Sequence, residues 1–191
     1  MQANAVRAVA STVTYHFTQR ESRLVVQAFA EGLLSAFGHN PKLQVNEFSG
    51  EVRLDREALE ASVVHVLINS KSLIVADNTS EKDRREIERT MKIEVLETER
   101  FPDIYFRSTS ISATEIDSGV YAARVTGKLS LHGVTREHVL TARVHLLESG
   151  VQAEGETTLR QSDFGIHKVS VAAGTLKVKD EVKLTFMVSA R

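Results

Sequence analysis

Apolar and polar residues alternate most regularly on either side of one short turn near the middle of the chain. From Tyr121 to Leu131 every second residue is apolar or glycine, which predicts a β-strand with one buried face. The segment His132-Gly133-Val134-Thr135 predicts a turn, and apolar residues alternate again from Leu140 to Leu146. Two alternating segments joined by a tight turn indicate an antiparallel β-hairpin.

The same alternation predicts strands along most of the chain. It indicates strands at 20–30, 43–55, 62–70, 104–111, 120–131, 139–147, 151–160, 169–178 and 182–190. In the second of these strands the apolar phase changes near Asn46-Glu47, which predicts a β-bulge. About eight strands joined by short turns favour an all-β antiparallel barrel, because closing the sheet removes its exposed edges.

Two segments have a helical period instead. Ile87, Met91 and Val95 are spaced four residues apart, which predicts one amphipathic helix over 80–96. A short helix is predicted over 31–37, where three apolar residues fall on one face and a glycine follows in the C-terminal position.

The interior of such a barrel is filled or hollow according to the size of its inward-facing side chains. The predicted inward set contains Val26, Ala28, Val64 and Val66, and the chain has no tryptophan. Strand 20–30 is apolar on both faces, which fits a wall between a cavity and a covering element and equally fits a packed core. The residue pattern therefore leaves both interiors open.

Composition narrows the class of protein. The 191 residues correspond to a single domain over 1–191, with 1–19 as an N-terminal extension. The formal net charge is −1, so no strongly basic surface indicates binding to nucleic acid. Cysteine is absent, which excludes disulfides, thiol catalysis and cysteine-built metal sites.

The sequence predicts no targeting segment, either at the N-terminus or along the chain. Residues 1–11 carry a charge in their middle and no long apolar run, so they do not predict a signal peptide. No stretch approaches the roughly 20 apolar residues of a membrane-spanning helix. We expect a cytoplasmic protein, or a periplasmic one if a leader has been removed, present as a monomer or a homodimer.

The sequence contains none of the common catalytic motifs. The seven histidines are not spaced as metal ligands, and neither the G-x-S-x-G, P-loop nor Rossmann glycine pattern occurs. We therefore expect no enzyme activity, no metal and no cofactor. A metal site assembled only in three dimensions remains an alternative.

One motif is specific enough to indicate a family. The segment Gly127-Lys128-Leu129-Ser130-Leu131-His132-Gly133-Val134-Thr135 resembles the G-x-L-T-L-H-G-V-T signature of the YceI-like family. Further matching segments follow in the same order as in that family: 37–39, 48–50, 72–73, 101–104, 106–109 and 160–166. The resemblance implies a lipocalin-like barrel with a helix laid across it, which holds one long-chain isoprenoid or fatty amphiphile as a carrier.

The resemblance and the alternation together predict which residues contact this lipid. The expected lining residues are Leu24, Val26, Ala28, Phe37, Val45, Phe48, Val64, Val66, Ile68, Ile87, Met91, Phe106, Val125, Leu129, Phe164, Leu184 and Phe186. His39, Asn40, Arg160 and Asp163 are candidates for contact with a polar head group, with helix-capping and turn chemistry as the alternative. The alternative function is a protein-interaction or stress-response module with a fully packed barrel and no ligand.

Overall fold

The fold is described from a computed structural model, which describes residues 12–31, 40–167, 170–171 and 176–191. Within these residues the strands are β1 (Thr12–Thr18), β2 (Arg23–Gln27), β3 (Ala30–Glu31), β4 (Lys42–Val45), β5 (Phe48–Asp55), β6 (Val63–Asn69), β7 (Leu73–Val75), β8 (Asp103–Asp117), β9 (Val120–Leu131), β10 (Val134–Leu147), β11 (Gly150–Arg160), β12 (Ser170–Val171), β13 (Leu176–Val178) and β14 (Glu181–Ala190). Helix α1 (Glu81–Thr90) continues into a π-helical turn, Met91–Val95. Short 3₁₀ turns lie at Leu59–Ala61, Ser70–Ser72 and Gln161–Phe164.

Most strands belong to one antiparallel sheet. Its order is β1-β5-β6-β8-β9-β10-β11-β14-β2-β4-β7, and a second, small sheet has the order β12-β13-β3. The large sheet curls into a half-barrel. Its first strand meets the end of β14, where His16 and Arg191 exchange two backbone hydrogen bonds of 3.0 Å. The all-β antiparallel class with one amphipathic helix is confirmed.

The predicted antiparallel hairpin is confirmed as β9 and β10. Leu131 pairs with Val134, so the connection is the two-residue turn His132-Gly133, shorter than the predicted four residues. Both turn residues have positive φ, +52° and +75°, which is the conformation of a type I′ turn and matches the twist of the flanking strands. The face that holds Ala123, Val125 and Leu129 points to the concave side of the sheet.

The strand count exceeds the predicted eight, because the large sheet alone has eleven strands. One added strand is β1, which pairs with β5 from Thr12↔Asp55 to Thr18↔Ser49. Residues 12–18 therefore belong to the sheet and not to an N-terminal extension. Other added strands arise where a predicted strand is interrupted, as 20–30 is between β2 and β3.

The predicted bulge at Asn46-Glu47 is wrong. The chain leaves β4, which pairs with β2 and β7, and enters β5, which pairs with β1 and β6. The amide of Asn46 donates to the carbonyl of Ser72, which ties this crossing to the end of the 3₁₀ turn. The change of phase thus marks a break between two strands, and the register shifts of the described sheet lie in β8 instead.

The amphipathic helix is confirmed over almost its whole predicted length. Ser80 caps its start, because its Oγ accepts a hydrogen bond from the amide of Asp83 at 3.1 Å. At the far end Leu96 donates to the carbonyl of Met91 at 2.8 Å, the wider spacing of a π turn. The predicted short helix over 31–37 has Glu31 in β3, and its other residues lie outside the described part of the chain.

The core lies between the concave face of the sheet and the helix. One cluster of buried residues includes Phe17, Leu24, Val45 and Met91, and partly buried Ile87 packs against it. A second cluster, centred on Phe106 and Phe164, fills the end of the barrel beside the β9–β10 turn. No helix in the described residues is long and apolar enough to cross a membrane.

Candidate functional site

The curled sheet and the helix enclose a cavity of about 640 Å³. Such a volume lies within the range of about 300–1,000 Å³ that is typical of small-molecule sites. The wall is formed by alternate residues of nearly every strand of the large sheet and by one face of α1 and the π turn. Because period-two alternation directs one set of side chains inward, the wall is almost wholly apolar.

Most of the predicted lining residues lie together on this wall. Those that line the cavity are Leu24, Val26, Ala28, Val45, Val64, Val66, Ile68, Ile87, Met91, Phe106, Val125, Leu129, Leu184 and Phe186. Contact of these side chains with a lipid stays a prediction.

Two predicted lining residues are placed differently, and the placement of a third is not described. Phe48 is buried, but its ring lies 6.5 Å from that of Phe17 and is not part of the cavity wall. Phe164 is buried in the cluster at the barrel end, because the 3₁₀ turn directs its ring against the β9–β10 hairpin. Phe37 lies outside the described residues.

The sequence-based set misses part of the wall. Leu140, Ala142, Val144 and Leu146 all line the cavity, as do several alanines and valines of neighbouring strands. Their signal was present, since they form the alternating face of the second strand of the hairpin. The apolar alternation of a strand identifies the face that points to the cavity. Every residue of that face beside the cavity therefore belongs to the cavity wall.

Helix α1 borders the opening of the cavity. Ile87, Met91 and Val95 line the interior, whereas Asp83 and Glu86 line it and are also exposed to solvent. The cavity therefore reaches solvent beside the first two turns of the helix. Arg89 donates a 3.1 Å hydrogen bond to Glu86, which with the positive charge of Arg89 lowers the pKa of Glu86 and keeps this carboxyl ionised at the opening.

One histidine lies inside the cavity wall. His138 of β10 is half-buried, and its Nε2 lies 2.9 Å from Oγ1 of Thr157 on the neighbouring strand β11. Burial lowers the pKa of His138, because the charged imidazolium loses hydration there. The sequence predicted no role for His138, which was one of seven scattered histidines. Its position nevertheless lies in phase with Leu140, Ala142 and Val144.

The three head-group candidates that the structure describes do not line the cavity. Asn40 accepts a 2.9 Å hydrogen bond from the amide of Ala30 through its Oδ1, a local contact between neighbouring loops. Nε of Arg160 lies 3.6 Å from Oε1 of Glu181. The backbone carbonyl of Asp163 accepts a hydrogen bond from Nε of Arg136. Arg160 and Asp163 border a smaller pocket of about 310 Å³, whose lining shares His138 and Leu159 with that of the cavity.

His39 lies outside the described residues. Contact of any of the four candidates with a head group stays a prediction. The described residues contain no group of three or more His, Asp or Glu side chains that could hold a metal ion.

Proteins of similar sequence share the region that forms the barrel. A UPF0312 protein of Shewanella denitrificans is 31% identical over 142 residues, which cover 70% of this chain and 68% of that protein. A UPF0312 protein of Azotobacter vinelandii is 34% identical over 129 residues, or 64% of this chain and 62% of the relative.

Solved structures share the fold at low sequence identity. BcnA of Burkholderia cenocepacia superposes with a TM-score of 0.69 at 16% identity, covering 90% of this chain and 98% of that one. A polyisoprenoid binding domain from Saccharophagus degradans, implicated in plant cell wall breakdown, gives a TM-score of 0.63 at 11% identity, with coverage of 92% and 97%. The YCEI protein of Campylobacter jejuni gives 0.59 at 16% identity, with coverage of 81% and 86%.

The family assignment rests on the whole length of the barrel. The sequence model of the YceI-like domain matches residues 6–190, which include every described strand and the helix. The hairpin motif, the curled antiparallel sheet and the helix over its concave side agree with that match. The chain belongs to the YceI-like family.

Proposed function

We propose that this protein is a non-catalytic carrier that holds the hydrocarbon chain of one isoprenoid or fatty amphiphile in its cavity. The observation that carries the proposal is the apolar cavity of about 640 Å³, open to solvent beside α1. The polyisoprenoid binding described for the similar Saccharophagus degradans domain supports the same class of ligand.

Apolar burial supplies free energy of the size that such binding requires. Each methylene moved from water into an apolar site contributes about 0.8 kcal/mol, so about a dozen buried methylenes contribute about 10 kcal/mol. This gain lies within the range of about 4–15 kcal/mol that association costs in translational and rotational freedom, and each further methylene adds to it. Affinity for a long chain therefore requires few polar contacts.

A module with a fully packed interior is not favoured. The inward positions include Ala28, Ala113, Ala123, Ala142 and Ala153, which are too small to fill the space between the sheet and the helix. Native interiors are packed to the density of organic crystals, and large apolar voids are rare in them. A lipid chain that occupies this space would restore that density.

Blocking the cavity tests the proposal. Val66 lines the cavity, whereas the next residue, Leu67, points to the opposite face and is 44% exposed. We expect Val66→Trp to lower the amount of lipid recovered by organic extraction and mass spectrometry, since the indole occupies the space of the chain. Leu67→Trp is the matched control and should carry as much lipid as the unmodified protein. Equal lipid content in both variants, or no lipid in any of the three proteins, would contradict the proposal.

A further inference from the structure

The charges around the cavity limit the head group that it can accept. Among the described lining residues there is no lysine or arginine, and the charged groups are the carboxylates of Asp83 and Glu86 at the opening. A phosphate or carboxylate head group would lose hydration on entry and would find no cationic partner on the described wall. Arg136 and Arg160 of the smaller pocket that shares His138 already have oxygen partners. An uncharged head group avoids this cost.

The hydrogen bonds of Thr157 determine which nitrogen of His138 carries the proton. Oγ1 of Thr157 donates its one hydrogen to the carbonyl oxygen of Val139 at 3.2 Å. In its 2.9 Å contact with His138, Oγ1 must therefore accept, so the N–H of the imidazole is at Nε2. A neutral imidazole has a single N–H, which leaves Nδ1 of His138 as a hydrogen-bond acceptor.

This acceptor has no hydrogen-bond partner among the described residues. Of the other polar lining groups, Ser62 and Gln161 are hydrogen-bonded elsewhere, and the hydroxyls of Thr90 and Tyr121 can donate as well as accept. Nδ1 of His138 can only accept, so a ligand group that contacts it has to be a donor.

Resting on the proposed lipid-binding function, we propose that the head group of the bound lipid is uncharged and donates a hydrogen bond, from a hydroxyl or an amide N–H, to Nδ1 of His138. Long-chain alcohols and primary amides have this chemistry. Quinones and esters, which only accept, and phosphates and carboxylates, which are charged, do not.

Three probes that share one hydrocarbon chain and differ in head group distinguish these possibilities. Protein freed of lipid on a hydrophobic resin is titrated calorimetrically with hexadecanol, with hexadecyl methyl ether, which lacks the donor, and with hexadecanoate, which is charged. The net value of one hydrogen bond predicts that hexadecanol binds about 3- to 10-fold more tightly than the ether. Hexadecanoate should bind more weakly than either.

Two variants and one control assign the preference to His138. His138→Leu should abolish the preference for the alcohol over the ether. Thr157→Val removes the group that holds the proton at Nε2, so the proton can move to Nδ1 and the preference should fall towards one. His145→Leu is the control on the opposite face of β10 and should keep the full preference, since His145 does not line the cavity.

The outcomes distinguish the two proposals. If the ether binds the unmodified protein as tightly as hexadecanol, or if the preference survives in His138→Leu, the assignment of the head group is wrong and lipid binding stands. Tight binding of hexadecanoate would likewise overturn the requirement for an uncharged group. If none of the three probes binds the folded protein, the proposed function itself fails.

Discussion

Three glycines of the sheet, Gly50, Gly127 and Gly155, lie directly beneath phenylalanine rings on the concave side. A Cβ at Gly127 would come within 2.4 Å of Cζ of Phe106, and one at Gly50 within 2.2 Å of Cζ of Phe17. The missing side chains let the rings lie against the sheet instead of extending into the interior. These glycines therefore keep volume open in the cavity as well as accommodating the rings.

Gly127→Ala should destabilise the protein by about 1–3 kcal/mol, the usual cost of overpacking a filled site. The added methyl would also meet the carbonyl oxygen of Arg107 at 2.5 Å, and backbone cannot move aside as a flexible side chain can. Urea denaturation measures the change, with Lys128→Ala at the exposed neighbouring position as the control. A loss no larger than that of the control would show that the sheet yields at this site.

The lowered pKa of His138 predicts how stability changes with pH. In the unfolded chain the pKa of a histidine is about 6.5, and burial lowers the pKa of His138 in the folded protein. As the pH falls below about 6.5, the unfolded state binds the proton first, so the contribution of His138 to the free energy of unfolding decreases. His138→Gln should therefore lose less stability than the unmodified protein between about pH 7.5 and about pH 5.5. Urea denaturation at the two pH values measures the loss of stability, and equal losses in the variant and the unmodified protein would contradict this prediction.

Helix α1 and its π turn are the element that encloses the cavity. Met91 stands at their junction, is 6% exposed and lines the cavity, whereas Lys82 on the first turn faces solvent. The helix packs on the sheet mainly through this apolar face, which also forms part of the wall. Its attachment and the closure of the cavity therefore depend on the same side chains.

Met91→Glu should loosen the helix and speed the release of lipid. Placing an unpaired carboxylate in the apolar wall costs several kcal/mol, which the helix relieves by moving away from the sheet. Hydrogen exchange should rise over residues 81–95, and transfer of lipid to vesicles should become faster. Lys82→Ala should change neither rate, and equal effects of the two substitutions would show that the helix does not control exchange.

Elements with a strong period were predictable from the sequence, and those whose limits depend on tertiary contacts were not. Alternation located the β9–β10 hairpin, and the spacing of Ile87, Met91 and Val95 located the helix. A bulge and a break between strands both shift the apolar phase, so the crossing at Asn46 could not be distinguished from a bulge without the pairing partners. Phase likewise predicted the face on which Val66 and Leu129 lie.

Phase does not say how far along the barrel the cavity extends. For this reason Phe48 and Phe164 were included in the predicted wall although both lie in packed regions. His138 was missed for the opposite reason, since its residue type was weighed and its phase was not. Its hydrogen bond could be seen only with the position of Thr157 on the adjacent strand.

At the scale of the whole molecule, the curled sheet and the helix form one wall around an apolar space. Inward side chains of the sheet meet Ile87 and Met91 of the helix across the cavity, while Leu67, Ile93 and Met187 are apolar residues on the outer surface. The central claim is that a lipid chain occupies the inner space and not this outer surface.

Isotope-filtered nuclear Overhauser spectra of labelled protein loaded with unlabelled hexadecanol test that claim most directly. The account predicts cross-peaks from the lipid methylenes to the methyl groups of Val66, Met91 and Leu129, which line the cavity from β6, the π turn and β9. Cross-peaks confined to Leu67, Ile93 and Met187, whose side chains are 44%, 61% and 56% exposed, would place the lipid on the surface and contradict the account.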